Sequence, residues 1–355
     1  MTLMDGQHWQ SRLDRAARFW RLTASSLFRN SYYRGPASDH FDGRRFFNPD
    51  MPRHPGLRGF VKWRMTGEWA HWPERVENEF IGRAPAEIAG DDLRVSFIGH
   101  ATFLIQTQGI NILTDPVWAE RAAPSRRFGP KRAHAPGIGF DRLPRVDAVL
   151  LSHNHYDHMD LETLAALWRR DRTRVITPLG NNTIIRAHSP GIGVETLDWG
   201  DSAVLGPRTR VHAEPTCHWS ARGVLDRHMA LWASFAIETE GGTIYFVGDS
   251  GYGGGHHFRK ARAKHGPFRL AILPIGAYEP RWFMSYSHMN PDEAVRGHID
   301  LGRPATIASH FGTFQLTGEP RMAPVEALHE ARVEHGVDAR DFRALMPGES
   351  WLVPG

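Results

Sequence analysis

The sequence predicts an α/β fold built in layers, with one catalytic unit preceded by an N-terminal helix and an extended arm. Three observations carry this reading. From Leu93 onward, short β-rich runs alternate with segments of helical periodicity, the pattern of sheets covered by helices. Several apolar strands end in polar, histidine-bearing loops. A weak internal repeat completes the case. Thr102-Phe-Leu-Ile-Gln-Thr-Gln-Gly leads through a second strand to Asp115, and Ser234-Phe-Ala-Ile-Glu-Thr-Glu-Gly leads likewise to Asp249, which fits a hairpin duplicated in two facing sheets.

Taken in order, residues 8–29 read as a basic amphipathic helix. Trp9, Leu13, Ala16, Ala17, Trp20, Ala24, Leu27 and Phe28 fall at helical spacing, and Arg12, Arg15, Arg18 and Arg21 interleave on other faces. Such a helix either lies on a membrane surface or packs on the domain. Residues 32–90 are rich in Pro, Gly, Trp and Arg and predict a wrapped arm with one short helix near Gly59–Gly67; their aromatic content argues against disorder. The division expected is 1–90 for helix and arm and 91–355 for the catalytic domain. Strands are expected at 93–98, 102–107, 110–114, 146–152, 174–177, 194–197, 202–205, 210–214, 270–274 and 305–308. Helices are expected over 161–170, capped by Asp160, around 182–187, and over 291–299 and 324–334.

The 355 residues are 41% hydrophobic, enough for a sizeable core, and the formal charge of +4 suits an anionic partner without identifying one. The single cysteine, Cys217, excludes an intramolecular disulfide and makes a reducing compartment the default. It precedes a candidate ligand, His218, and reads as a small spacer or as a thiol ligand. No secretory signal and no bilayer-spanning apolar run is visible. The expected location is the cytoplasm, peripheral on the inner face of a membrane.

Histidine carries the chemistry. Ser152-His153-Asn154-His155-Tyr156-Asp157-His158 follows an apolar strand and precedes a helix. Three imidazoles and a carboxylate so close together suit metal binding, since both groups ligate zinc. His153 and His155 can converge on one metal, and Asp157 and His158 can face a second. Further candidates, His218, Asp249 and His310, each lie just past an apolar strand, and a carboxylate at Asp249 could bridge two cations.

The order His-x-His-x-Asp-His followed by a distant His, Asp and His resembles the ligand order of the metallo-β-lactamase superfamily. Within it, the chain resembles the N-acylphosphatidylethanolamine-hydrolysing phospholipases D and their bacterial relatives. The stretches that carry the likeness are Gly99-His-Ala-Thr102, Leu113-Thr-Asp-Pro116, Gly129-Pro-Lys-Arg132, residues 152–160, Gly248-Asp-Ser-Gly-Tyr252, residues 274–283 and His310-Phe-Gly-Thr-Phe314. The resemblance implies an αββα sandwich, the metallo-β-lactamase fold, with two zinc ions at one edge; iron or manganese would suit the same ligands. It assigns His153, His155 and His218 to one ion, Asp157, His158 and His310 to the other, and Asp249 to both. His100 and Asp115 would support the ligands from outside. His288 would donate a proton to the leaving oxygen, and Tyr156, Tyr278 and Ser287 would contact substrate.

The implied activity is phospholipase D-type hydrolysis of an N-acylphosphatidylethanolamine-like lipid to N-acylethanolamine and phosphatidic acid. Fold and metal site leave two other classes open. One is another hydrolase of this fold, a lactonase, β-lactamase or nuclease. The other is a non-catalytic, membrane-associated lipid-binding protein. The expected partners are a phospholipid or other phosphodiester, an anionic membrane surface and a second copy of the chain, but no nucleic acid.

Overall fold

The computed structural model describes residues 29–49, 51, 56–125 and 127–355. The helix expected over 8–29 lies, up to residue 28, outside them. The short arm helix is present as α1 (Gly56–Thr66), where Trp63 stacks on Phe283 with ring centroids 5.2 Å apart. Beyond α1 the chain runs to β1 without a further helix or strand. It is laced to the body by backbone and side-chain hydrogen bonds, Ala70 to Gly318, Trp72 to Glu319, Val76 to Ala133 and Gly82 to Gly137.

Two seven-stranded sheets follow. The first contains β1 (Leu93–Gly99), β2 (Thr102–Thr107), β3 (Ile110–Thr114), β4 (Ala148–Leu150), β5 (Arg174–Pro178) and β6 (Val194–Leu197) in that order, with β14 (Ser350–Val353) beside β1. The second runs from β7 (Ser202–Gly206) through β8 (Thr209–Glu214), β9 (Ser234–Glu238), β10 (Thr243–Phe246), β11 (Phe268–Pro274) and β12 (Ala305–Ser309) to β13 (Phe342–Arg343). In both, an antiparallel half becomes parallel after a hairpin: β3 pairs in parallel with β4, and β10 with β11. The repeated sequence segments are these hairpins, β2–β3 and β9–β10, one in each sheet.

Strand alternation divides the apolar residues between two packed layers. Val95, Phe97, Phe103, Ile105, Ile112, Leu150 and Ile176 face the second sheet and share a core with its Val211, Phe235, Ile237, Phe246 and Ile272. The neighbouring residues Leu104, Leu113, Val149 and Val175 face outward, onto Leu164 and Leu167 of α2 (Leu161–Asp171) and Ile185 of α3 (Asn181–His188). Outside the second sheet lie α4 (His256–His265), α6 (Pro291–Asp300) and α7 (Ala323–Glu334), contributing Phe258, Val295 and Leu328. A four-residue α5 (Arg281–Met284) precedes α6. The layers are therefore helix, sheet, sheet, helix: the expected αββα sandwich.

Asp160 caps α2, accepting from the Glu162 and Thr163 amides, and also takes the Trp118 and Ala119 amides from a neighbouring loop. The strand expected over 146–152 is shorter because its ends bond elsewhere. Val146 N–H donates to the Asp171 side chain and Ser152 N–H to that of Asp115. The sequence reading missed α4, whose ten residues are mostly basic, and the closing strand β14.

Candidate metal centre

The selected residues gather where strands of both sheets end. His100 follows β1, Asp115 follows β3, and residues 152–158 follow β4. His218, Asp249 and His310 come shortly after β8, β10 and β12. Turning a side chain into the cleft from these positions demands unusual backbone: φ is +60° at His100, +34° at Asp115 and +62° at His310. Left-handed conformations of this kind cost on the order of 1–3 kcal/mol each and persist where surrounding structure enforces them. Gly248, at φ +65°, brings the two sheets together here; a Cβ would lie 2.6 Å from that of Ser152.

The donor atoms form two sets. In one, His153 Nε2 lies 2.8 Å from His155 Nδ1, which is 3.2 Å from His218 Nε2. In the other, Asp157 Oδ2 is 3.3 Å from both His158 Nε2 and His310 Nε2. Asp249 Oδ2 faces both sets, 3.1 Å from His158 and His310 and 3.7 and 3.9 Å from His218 and His153. The atoms of each set lie within 4.8 Å of one another.

Outer partners fix the rings. The Asp115 carboxylate accepts from Ser152 N, Ser152 Oγ and His158 Nδ1, the last two at 2.6 Å. With Nδ1 committed to Asp115, His158 turns Nε2 toward Asp157 and Asp249. Ser152 Oγ lies 2.9 Å from His153 Nδ1, so the same carboxylate steadies one ring in each set. His218 Nδ1 donates to the Ser287 carbonyl. His100 Nε2 donates to Asp157 Oδ2 at 2.8 Å, holding that carboxylate from behind.

Electrostatics divides the sets. Burial, reinforced by neighbouring imidazoles, pushes His153 well below the usual histidine range; burial also brings His155 and His218 to about 3, so all three stay neutral. Burial opposes charge on His158 and His310 as well, but Asp249 and Asp157 outweigh it, lifting His158 well above its ordinary value and His310 to about 9. Burial likewise resists ionisation of Asp249 and Asp157, yet the adjacent imidazoles hold both well below the carboxylate range.

These donors fit divalent metal. Imidazole nitrogens and ionised carboxylates converge on two points. The buried Nε2 of His155, Nε2 of His158 and Oδ1 of Asp249 have no hydrogen-bond partner. Cys217 belongs to neither set; its Sγ lies 3.5 Å from His257 Nδ1.

The remaining candidates are distributed around the cluster. His288 is buried against it, with Nδ1 4.0 Å from Asp249 Oδ2. Burial holds its pKa well below the usual value despite Asp249, so the ring is neutral in the free protein. Ser287 meets the cluster through its backbone carbonyl, and its side chain is not placed on a ligand. Tyr156 donates to the Arg222 carbonyl, and Tyr278 is buried with its amide on Glu319. Sequence reasoning passed over Arg222, which stacks on Tyr156 at 3.9 Å and donates to the carbonyls of Asn154 and Met159, clamping the ligand loop. It lies in a glycine-flanked loop with no motif to mark it.

A family model described as a beta-lactamase superfamily domain matches residues 110–311. An uncharacterized protein of Mycobacterium tuberculosis is 43% identical over 302 residues, covering 83% of this chain and 78% of its own. The N-acyl-phosphatidylethanolamine-hydrolyzing phospholipase D 1 of Caenorhabditis elegans is 36% identical over 272 residues, covering 73% and 75%. Among solved structures, an isothiocyanate hydrolase from Delia radicum gut bacteria aligns with a TM-score of 0.57 at 21% identity, covering 73% of this chain and 98% of the other; that likeness concerns the fold.

Replacing Asp115 with Asn puts an NH2 group where an oxygen accepts either from Ser152 N or from both Ser152 Oγ and His158 Nδ1, and loosens the support of His153 and His158. Asp115→Asn is expected to weaken metal binding about 10–100-fold, measured by competition with a chelator. Unchanged affinity would show that the rings need no outer support.

Proposed function

The chain belongs to the metallo-β-lactamase superfamily and has the fold of a metal-dependent hydrolase; from that premise we propose that it is a two-zinc phosphodiesterase of phospholipase D type. In this reading it converts an N-acylphosphatidylethanolamine-like lipid to N-acylethanolamine and phosphatidic acid. The observation that carries it is Asp249, one carboxylate oxygen facing two complete donor sets. The nematode relative supports the substrate class. So does a cavity of about 320 Å³ opening onto His218 and Ser287, lined by Phe47, Trp219, Trp232 and Arg227, whose apolar walls and guanidinium suit an acylated phosphate ester.

His153, His155 and His218 would hold one zinc, Asp157, His158 and His310 the other, with Asp249 shared; iron or manganese suits the same donors. Bound there, the cations would activate water for attack at phosphorus and neutralise charge building on the phosphoryl oxygens. A new P–O bond forms to the water oxygen as the bond to the ethanolamine oxygen breaks, and that oxygen takes up a proton. His288 is our candidate to hold that proton. Its ring is neutral in the free protein, so this role draws on the negative charge that a bound phosphodiester brings beside it. Tyr156, Tyr278 and the Ser287 side chain would contact substrate in the same reading. Residues 8–29 would dock the protein on an anionic membrane from the cytoplasmic side.

Incubation with N-acylphosphatidylethanolamine is expected to release N-acylethanolamine and phosphatidic acid in equal amounts, read by mass spectrometry. Turnover of a lactone or a β-lactam in its place would overturn the phosphodiester assignment.

His288→Ala is expected to slow lipid hydrolysis by about 10²–10⁴-fold while barely affecting bis-nitrophenyl phosphate, whose leaving group needs no proton. A parallel fall in both rates would make His288 a positioning residue.

Removing residues 1–29 is expected to reduce binding to anionic vesicles in a salt-dependent manner and to leave hydrolysis of the soluble diester intact. Equal vesicle binding by both forms would return that segment to packing.

A further inference from the structure

A second group of metal-type donors lies on the second sheet, in none of the sets described above. His212 stands on β8 and Glu238 ends β9. Because His212 pairs with Ala236 and Arg210 with Glu238, the two are diagonal neighbours on one face. His265, the last residue of α4, comes down onto the same spot. The carboxylate is shared: Glu238 Oε2 is 2.9 Å from His212 Nε2, and Oε1 is 3.4 Å from His265 Nδ1. The two rings are 4.7 Å apart, and the three ligating atoms lie within 4.8 Å of one another.

Two features point beyond an ion-pair network. His212 Nε2 is buried and, despite its nearness to Glu238, has no partner with hydrogen-bond geometry. His265 Nε2 donates to Glu214 Oε1 at 2.8 Å, and Glu214 is itself buried and paired with Lys264. That outer carboxylate orients the ring and leaves Nδ1, now on a long 3.4 Å hydrogen bond to Glu238, as the nitrogen that would turn its lone pair to a metal once its proton is displaced. The position also favours a cation, because it lies at the C-terminal end of α4, where the helix carbonyls concentrate negative potential.

We propose that His212, Glu238 and His265 bind one divalent transition-metal ion, separate from the catalytic cluster and structural in role. Two imidazoles and one carboxylate are a zinc donor set. The ion would pin the end of α4 to β8 and β9. The same helix begins just after the Asp249–Gly255 segment, and its His257 hydrogen-bonds Ser250. The distal ion lies at the far end of this helix from that contact, so its loss leaves the bridging carboxylate in place. This assignment is independent of the substrate proposed above.

The test is the zinc content of the full-length protein after equilibrium dialysis against buffered zinc. Glu238→Gln and His212→Asn are each expected to carry one zinc fewer per chain than the unaltered protein, with the rate on bis-nitrophenyl phosphate unchanged. Glu238 has the more exposed side chain of the two, so its variant keeps the fold if His212→Asn does not. In an Asp249→Asn background, added zinc is expected to raise the melting temperature, and adding Glu238→Gln is expected to abolish that rise. Equal zinc content in the unaltered chain and both variants would overturn the site and leave three side chains that pair only with one another.

Discussion

A carboxylate buried between two sheets has to be neutralised, and the architecture around Asp249 is organised by that requirement. An isolated charge removed from water costs several kcal/mol or more unless it is paired. Asp249 is 2% exposed, and imidazole nitrogens approach one of its oxygens from His158, His310, His218, His153 and His288. No single segment could supply so many rings. They come from the ends of strands in both sheets and, for His288, from the loop between α5 and α6, which is why the sandwich must close here and why Gly248 has no side chain. The rings in turn are held from outside by Asp115, Ser152 and the Ser287 carbonyl. Pre-set geometry of this kind matters for a hydrolytic centre, since a ligand that must first reorient forfeits affinity.

The two donor sets differ in what they ask of a cation. The His153–His155–His218 side offers three neutral rings, so a metal there meets lone pairs already free. On the other side Asp157 and Asp249 favour protonated rings at His158 and His310 in the metal-free protein, and a metal must displace those protons. The sites are thus chemically unequal although they share a carboxylate, a distinction invisible in the ligand list itself.

Much of this was legible in the sequence because the signals are local. The β2–β3 hairpin falls within the expected limits since its glycines and alternating apolar residues need no tertiary help. The helix over 161–171 announces itself through Asp160. The site residues stood out because histidine after an apolar strand is otherwise hard to explain. What escaped depends on remote partners. Helix α4 carries Arg, Lys and His through most of its length and is recruited by Phe258 and Ala261 packing on the sheet. Arg222 earns its place only through Tyr156 and two carbonyls distant in sequence. The supporting role of the Ser287 carbonyl is a backbone contact and leaves no trace in residue identity.

The pairing of β14 with β1 bears on how the chain comes to be folded. Leu93 opposes Val353 and Val95 opposes Trp351, so the first sheet borrows an outer strand from residues made long after the strands it covers. Closing so large a loop is entropically costly and is rewarded only once the intervening chain has condensed. During synthesis β1 must therefore wait with one edge unpaired, a natural template for a stray strand of another molecule. That edge of β1 is covered only once residues 350–353 are available to pair with it, so a chain interrupted before them would leave it open to misassembly.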